Sequence, residues 1–379
     1  MRASEEQIKA AIQHPEERVR LTALDYWCQC YSRDATIMPL VIQVVEQYGR
    51  EGAFSILRSA DDLAQTPATL DWLVGELERK YDVRQVDQDN YRFAVALALE
   101  GADPELLIPR QKDILRLPAF PEQLRVPLDE RIRFHLMEWP QLWEEFERFG
   151  LRSMQGLDMT TEDYGYIMRL TAAMGRHVEH ADKVIRAMDG KVAPSKREMM
   201  EHLDADLVEI VGWMRVPMAV PRIIRKMSMG SGDVLDRATF ALGRIGTDIV
   251  VEEIASVWGG FDSDRRLVLT GAMEMIHTDR CIHRCMEFLA AEEDFDIAIY
   301  LAGAMLRHFC TEGIANACQL AMDDEEELTP EQQELKFEAV AVATIMGEDF
   351  PDYDEWHSEA IATNYGWAGY KPERMSQYF

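Results

Sequence analysis

Between about residue 233 and residue 322, one two-stripe pattern of apolar residues occurs three times in succession. In DVLDRATFALGRIGTDIVVEEIASVWGG, the residues Ala238, Ala241, Leu242 and Ile245 share one face of a 3.6-residue period. Thr247 and Asp248 follow, and Val250, Val251, Ile254 and Val257 then share a second face. The spacing predicts two short amphipathic helices joined by a tight turn. Thirty-one residues further on, Leu269, Ala272, Met273 and Ile276 repeat the first stripe, Thr278 and Asp279 the turn, and Cys281, Ile282, Cys285 and Phe288 the second stripe. A third copy reads Ala302, Met305, Leu306 and Phe309, then Thr311 and Glu312, then Ile314, Ala315, Cys318 and Ala321. Each unit is too small to bury its own apolar face, so the units must stack.

One copy backwards lie Leu207, Ile210, Val211 and Met214, a turn at Val216 and Pro217, and Ala219, Val220 and Ile223. Weaker pairs occupy residues 17 to 48, 54 to 80, 90 to 116, 130 to 149, 162 to 188 and 334 to 362, about ten hairpins in all. The threonine of each turn is expected to cap the second helix, with the acid in its first turn favoured by the helix dipole. Prolines at 117 to 127 and the segment DGKVAPSKRE at 189 to 198 interrupt the rhythm, and Gly230, Ser231 and Gly232 read as a linker. Period-2 alternation is rare, so the fold class is all-α.

The unit with Arg237, Ala238, Ala241, Leu242, Gly243, Ile245, Gly246 and the Val250–Val251 pair resembles a HEAT repeat. That resemblance implies an α-solenoid of about ten HEAT-like helical hairpins, with second helices lining the concave side. It covers the chain unevenly: Trp27, Trp72, Trp139 and Trp143 stand where the family prefers small residues. The expected organisation is one continuous solenoid, with divergent repeats over 1–198, regular repeats with an acidic end over 199–362, and an aromatic non-helical tail over 363–379.

The formal charge is −28, which opposes binding to phosphate backbones. From Asp323 to Glu359 stand fourteen acids against Lys336 alone. The only dense basic cluster recognised is Arg215, Arg222, Arg225 and Lys226, whose partner is expected on the neighbouring hairpin. No signal-like or membrane-spanning apolar run occurs. Six scattered cysteines fit a reducing, cytoplasmic compartment rather than a disulfide framework. Eleven methionines between 154 and 229 are read as gap fillers.

His277, Cys281, His283, Cys285, His308, Cys310 and Cys318 invite a zinc reading, but the repeat register puts Cys281, Cys285 and Cys318 in slots held elsewhere by valine and isoleucine. His177 and His180, and carboxylate pairs such as Asp61–Asp62 and Glu252–Glu253, are read as solvated or capping groups. Phosphate loops, nucleophile elbows and zincin motifs are absent from the sequence. Among enzymes with HEAT-like repeats, the deoxyhypusine hydroxylases carry His-Glu dipeptides, and no histidine here precedes a glutamate. HEAT-like DNA glycosylases use a basic concave face, and no motif points to the bilin of the phycobilin lyases.

The expected function is therefore a non-enzymatic binding scaffold holding a basic protein or peptide, with no cofactor or metal, no nucleic acid and no membrane. Expected partner-binding residues, placed between the apolar stripes of second helices, are Glu252, Glu253, Ser256, His283, Arg284, Glu287, Asn316 and Gln319. The alternatives are an inhibitor or immunity-type protein that blocks a basic enzyme by acidic charge mimicry, and an enzyme with a groove site near the His/Cys cluster.

Overall fold

The structure, a computed structural model, describes residues 2–80, 88–155, 160–230, 232–321 and 328–363. The expected aromatic tail and Asp323 to Glu327 lie outside these residues, as do Met159 and Ser231. Among the described residues there is no strand; an isolated bridge pairs Arg2 with Cys310, and every other regular segment is helical. No helix is long and apolar enough to cross a membrane among them.

The helices needed below are α1 (Glu5–Ala11), α2 (Glu17–Gln29), α3 (Trp139–Ser153), α4 (Ala181–Met188), α5 (Asp204–Trp213), α6 (Val220–Met229), α7 (Asp233–Ile245), α8 (Asp248–Val257), α9 (Ser263–Glu274), α10 (Asp279–Ala291), α11 (Thr311–Ala321), α12 (Pro330–Met346) and α13 (Tyr353–Ala362). The described residues form two compact units, one of 2–132 with 306–363 and one of 133–305.

In the second unit the first helices α5, α7 and α9 stack in order, and so do the second helices α6, α8 and α10. The stripes explain the stacking. Ala238, Ala241, Leu242, Ile245, Val250, Val251, Ile254, Leu269, Ala272, Met273, Ile276, Cys281, Ile282, Cys285 and Phe288 are all buried, while Val257 is half-buried. Each large aliphatic side chain removed from water contributes about 1.5–3 kcal/mol before entropy is counted. Gly212 lets α5 and α7 approach: a Cβ there would meet the Cα and Cβ of Ala241 at 2.6 Å. Gly246 ends α7 in the left-handed region at φ 59°, a conformation that costs a β-carbon-bearing residue energy.

The caps differ from one turn to the next. Thr278 Oγ1 accepts from the Cys281 amide at 3.2 Å, as expected. Thr247 occupies the cap position of α8, but its hydroxyl is buried and makes no hydrogen bond. Thr311 is not a turn residue at all: it opens α11, after Phe309 has turned the chain at φ 52°. The third copy also departs in its second stripe, where Ala315 is exposed and Cys318 half-buried. Ile314, Ala317 and Ala321 are buried instead, because α11 packs on the long helix α12 rather than repeating the α8–α10 stack.

A charge network lies inside the second unit's first-helix stack. Glu209 on α5 pairs with Arg237 and Arg244 of α7, all three side chains being less than a tenth exposed. Arg244 lies 3.8 Å over the Trp213 ring, and Trp213 Nε1 donates to Glu209 at 3.3 Å. Removing one member of such a set leaves a buried charge uncompensated.

In the first unit, α1 and α2 pack against α12. Arg18 of α2 donates to both carboxylate oxygens of Glu334 at 2.8 and 2.9 Å and covers the Phe337 ring. Arg2 Nε donates to the His308 carbonyl at 3.1 Å, and Tyr26 meets Phe309 edge-on at 5.5 Å. His357 on α13 lies 2.9 Å from Glu16. The cores contain Met174, Met188, Met199, Met200, Met214 and Met227, whereas Met154, Met218 and Met229 are exposed.

Candidate functional site

The expected partner-binding residues fall on α8 and α10 of the second unit, with Asn316 and Gln319 on α11 of the first. Ser256, His283, Glu287 and Gln319 are exposed; Glu252, Glu253, Arg284 and Asn316 are half-buried. Three of the eight, Glu252, Arg284 and Glu287, are tied up in ion pairs. Glu252 accepts from Arg280 and from Arg284, the latter at 2.6 Å. Those two hydrogen bonds hold its carboxyl at about 2. Arg284 in turn donates to Glu287. The α8–α10 patch is thus a ladder of alternating charge, screened internally and weak as an attractor for a cation. Ser256 donates to the Glu253 carbonyl at 2.8 Å, and Asn316 to the Glu312 carbonyl at 2.8 Å.

The C-terminal helices of the first unit give a different picture. Glu334, Glu338 and Glu359 are consumed by Arg18, Arg307 and Lys336. Glu331, Asp349, Asp354 and Glu355 are exposed and form no ion pair among the described residues. Four exposed carboxylates therefore lie without an ion pair along α12, the turn after it and α13, with the half-buried Glu348 and Asp352 in the same stretch.

Three members of the basic cluster, Arg222, Arg225 and Lys226, find acidic partners on neighbouring segments. Arg222 and Arg225 donate to Asp189, at 3.3 and 2.7 Å, and Lys191 joins them at 3.0 Å. Burial would raise the Asp189 carboxyl, but these hydrogen bonds outweigh it and bring the pKa to about 2. Lys226 pairs with Asp204 at 2.5 Å. A second basic group, Lys183, Arg186, Lys191 and Lys196, escaped the sequence reading because its members are spread over a helix and the following loop. The signal that finds it is the i, i+3 spacing of Lys183 and Arg186 on α4.

The histidines and cysteines differ in burial and in hydrogen-bond partners. Cys281 and Cys285 are fully buried on α10, and Cys281 Sγ donates to the Met273 carbonyl at 3.4 Å. A hydrogen bond from Cys281, with burial added, pushes the Cys285 thiol up. Burial likewise raises Cys28, and raises Cys318 to about 11 with Asp352 adding. Thiols so held are protonated at neutral pH and are poor nucleophiles. His277 Nε2 lies 3.1 Å from the Glu274 carbonyl, and His283 is exposed. His308 and Cys310 are buried in the first unit. His180 stacks on Trp139 at 4.6 Å, and His177 lies 3.3 Å from Glu179.

No family model matches the chain, and no curated protein matches it.

Proposed function

We propose that this chain is a HEAT-like α-solenoid of about ten hairpins, working in the cytoplasm as a non-enzymatic scaffold that holds a basic protein or peptide. The helical stacking of α5 to α10 supports the repeat reading. The observation that carries the binding reading is the set of exposed, unpaired carboxylates Glu331, Asp349, Asp354 and Glu355 in a chain of net charge −28. Because these four have no cation partner among the described residues, they attract an external one to the extent that salt screening allows. Within the first unit, the exposed residue Gln319 of α11 supplies a neutral contact.

The test is binding of a Lys/Arg-rich peptide to the full chain by titration calorimetry at ~0.1 M salt. In the variant E331Q/D349N/D354N/E355Q, affinity is expected to fall at least tenfold. A control variant, E162Q/E198Q/D264N/E293Q, removes four exposed acids of the second unit and is expected to fall less than threefold. Equal losses in the two variants would mean that only net charge matters, and would overturn the assignment.

A further inference from the structure

The second unit contains a groove of about 640 Å³ bounded by α3, α4 and the loop that follows α4. That volume lies within the range of small-molecule sites. Its apolar lining comes from Pro140, Trp143, Val192 and Met200. Its cations are unevenly satisfied. Lys196 donates to Glu147 at 2.6 Å, and Lys191 to Asp189 at 3.0 Å. Lys183 and Arg186, one turn apart on α4, have no carboxylate within ion-pair distance among the described residues.

Lys183 is held in place by a ring instead of an anion. Its Nζ lies 3.9 Å from the centroid of Trp143 and 5.7 Å from that of Trp139. Trp143 is itself fixed, being 7% exposed with Nε1 donating to Glu147 at 2.7 Å. A ring face orients an ammonium without cancelling its charge, and leaves its outward N–H groups free to donate. Burial lowers the Lys183 pKa and Lys196 adds to that, which Glu147 opposes; an unsatisfied cation in this position is one that an anion would relieve. None of the acids around the groove forms an ion pair with Lys183 or Arg186 among the described residues. Glu147 is shared between Trp143 and Lys196, Glu144 pairs with Arg148 at 3.3 Å, and Asp182 is exposed without an ion pair.

We propose that this groove binds a small ligand carrying a phosphate or carboxylate beside an apolar moiety, with the anionic group received by Lys183 and Arg186 and the apolar part lying on Pro140, Val192 and Met200. The region is suited to it electrostatically. From Ala181 to Lys226 there are nine Lys or Arg against seven Asp or Glu, in a chain that elsewhere is strongly acidic. The site is independent of the acidic surface assigned to the basic partner, which belongs to the first unit.

The test uses the full chain, tryptophan fluorescence and calorimetry, with hexyl phosphate, hexanoate, inorganic phosphate and hexanol as probes. Saturable binding of hexyl phosphate is expected, at least tenfold tighter than inorganic phosphate and with hexanol showing none; hexanoate separates a carboxylate source from a phosphate one by binding more or less tightly. The variant K183Q/R186Q, at two surface positions of α4, is expected to weaken hexyl phosphate at least tenfold with an unchanged Tm. V192A, which trims a half-buried part of the apolar wall, is expected to weaken hexyl phosphate and leave inorganic phosphate unaffected. The proposal is overturned if neither hexyl phosphate nor hexanoate saturates, if hexanol competes equally with them, or if K183Q/R186Q binds as the wild type does.

Discussion

At Asp206 on α5, burial raises the carboxyl to about 6, with Arg237 opposing the shift and Asp233 reinforcing it. An unfolded aspartate titrates near ~3.9, so between the two values the folded chain keeps a proton that the unfolded chain has released. The stability tied to this group is therefore fully present below ~4 and is lost as pH rises through about 6. Asp206→Asn keeps the neutral form at every pH and is expected to be more stable than the wild type by about 1–2 kcal/mol at pH 7.5, with no gain at pH 4; melting curves at the two pH values decide, and a variant no more stable at pH 7.5 would exclude this sign. Glu209 presents the opposite case. Glu209→Ala leaves Arg237 and Arg244 buried without their carboxylate, at a cost of about 3–5 kcal/mol in urea unfolding; a loss under about 1 kcal/mol would show that solvent replaces the carboxylate. Neither pairing was read from the sequence, yet the spacing held it. Glu209 precedes its arginines by 28 and 35 residues and Glu252 precedes Arg280 and Arg284 by 28 and 32, bracketing the 31-residue period. Opposite charges one repeat apart meet when repeats stack.

Helix pairs were legible where the apolar stripes admit a single register. The large residues Leu242, Ile245, Val251 and Ile254 leave no choice of face, and each is buried. Small residues blur the choice: in α11, Ile314 and Ala321 of the expected stripe are buried, but Ala317 takes the place of Ala315 and Cys318 where the helix packs on α12. The same limit applies to caps, since Thr247 and Thr278 look alike in sequence while only the second makes its bond. Thr278→Ala is accordingly expected to cost about 1 kcal/mol and Thr247→Ala clearly less, compared by chemical denaturation; equal costs would contradict the difference between the two turns. Gly212 is a point of close backbone approach in the stack. A methyl group there overlaps the Ala241 backbone at 2.6 Å, so Gly212→Ala is expected to destabilise the unit by about 1–3 kcal/mol, against a slight gain if the helices could slide apart.

At the scale of the whole chain, helices distant in sequence complete one another's cores. α1 and α2 lie on α12 through Arg18, Glu334 and Phe337, and the bridge from Arg2 to Cys310 adds main-chain pairing. Deleting residues 328–363 is expected to lower hydrogen-exchange protection in Glu17–Gln29 at least tenfold; unchanged protection would show that α2 is stable without them. The pairing was illegible because the repeat pattern speaks only of adjacent units, whereas α2 and α12 are related by no period. During synthesis the order is awkward. Residues 133–305 must leave the ribosome between the two halves of the first unit, on the order of 10–35 s at ordinary elongation rates. Throughout that interval the face of α2 that will meet α12 is without its cover, so a nascent chain stalled before residue 328 should be a client for chaperones in a way the released chain is not.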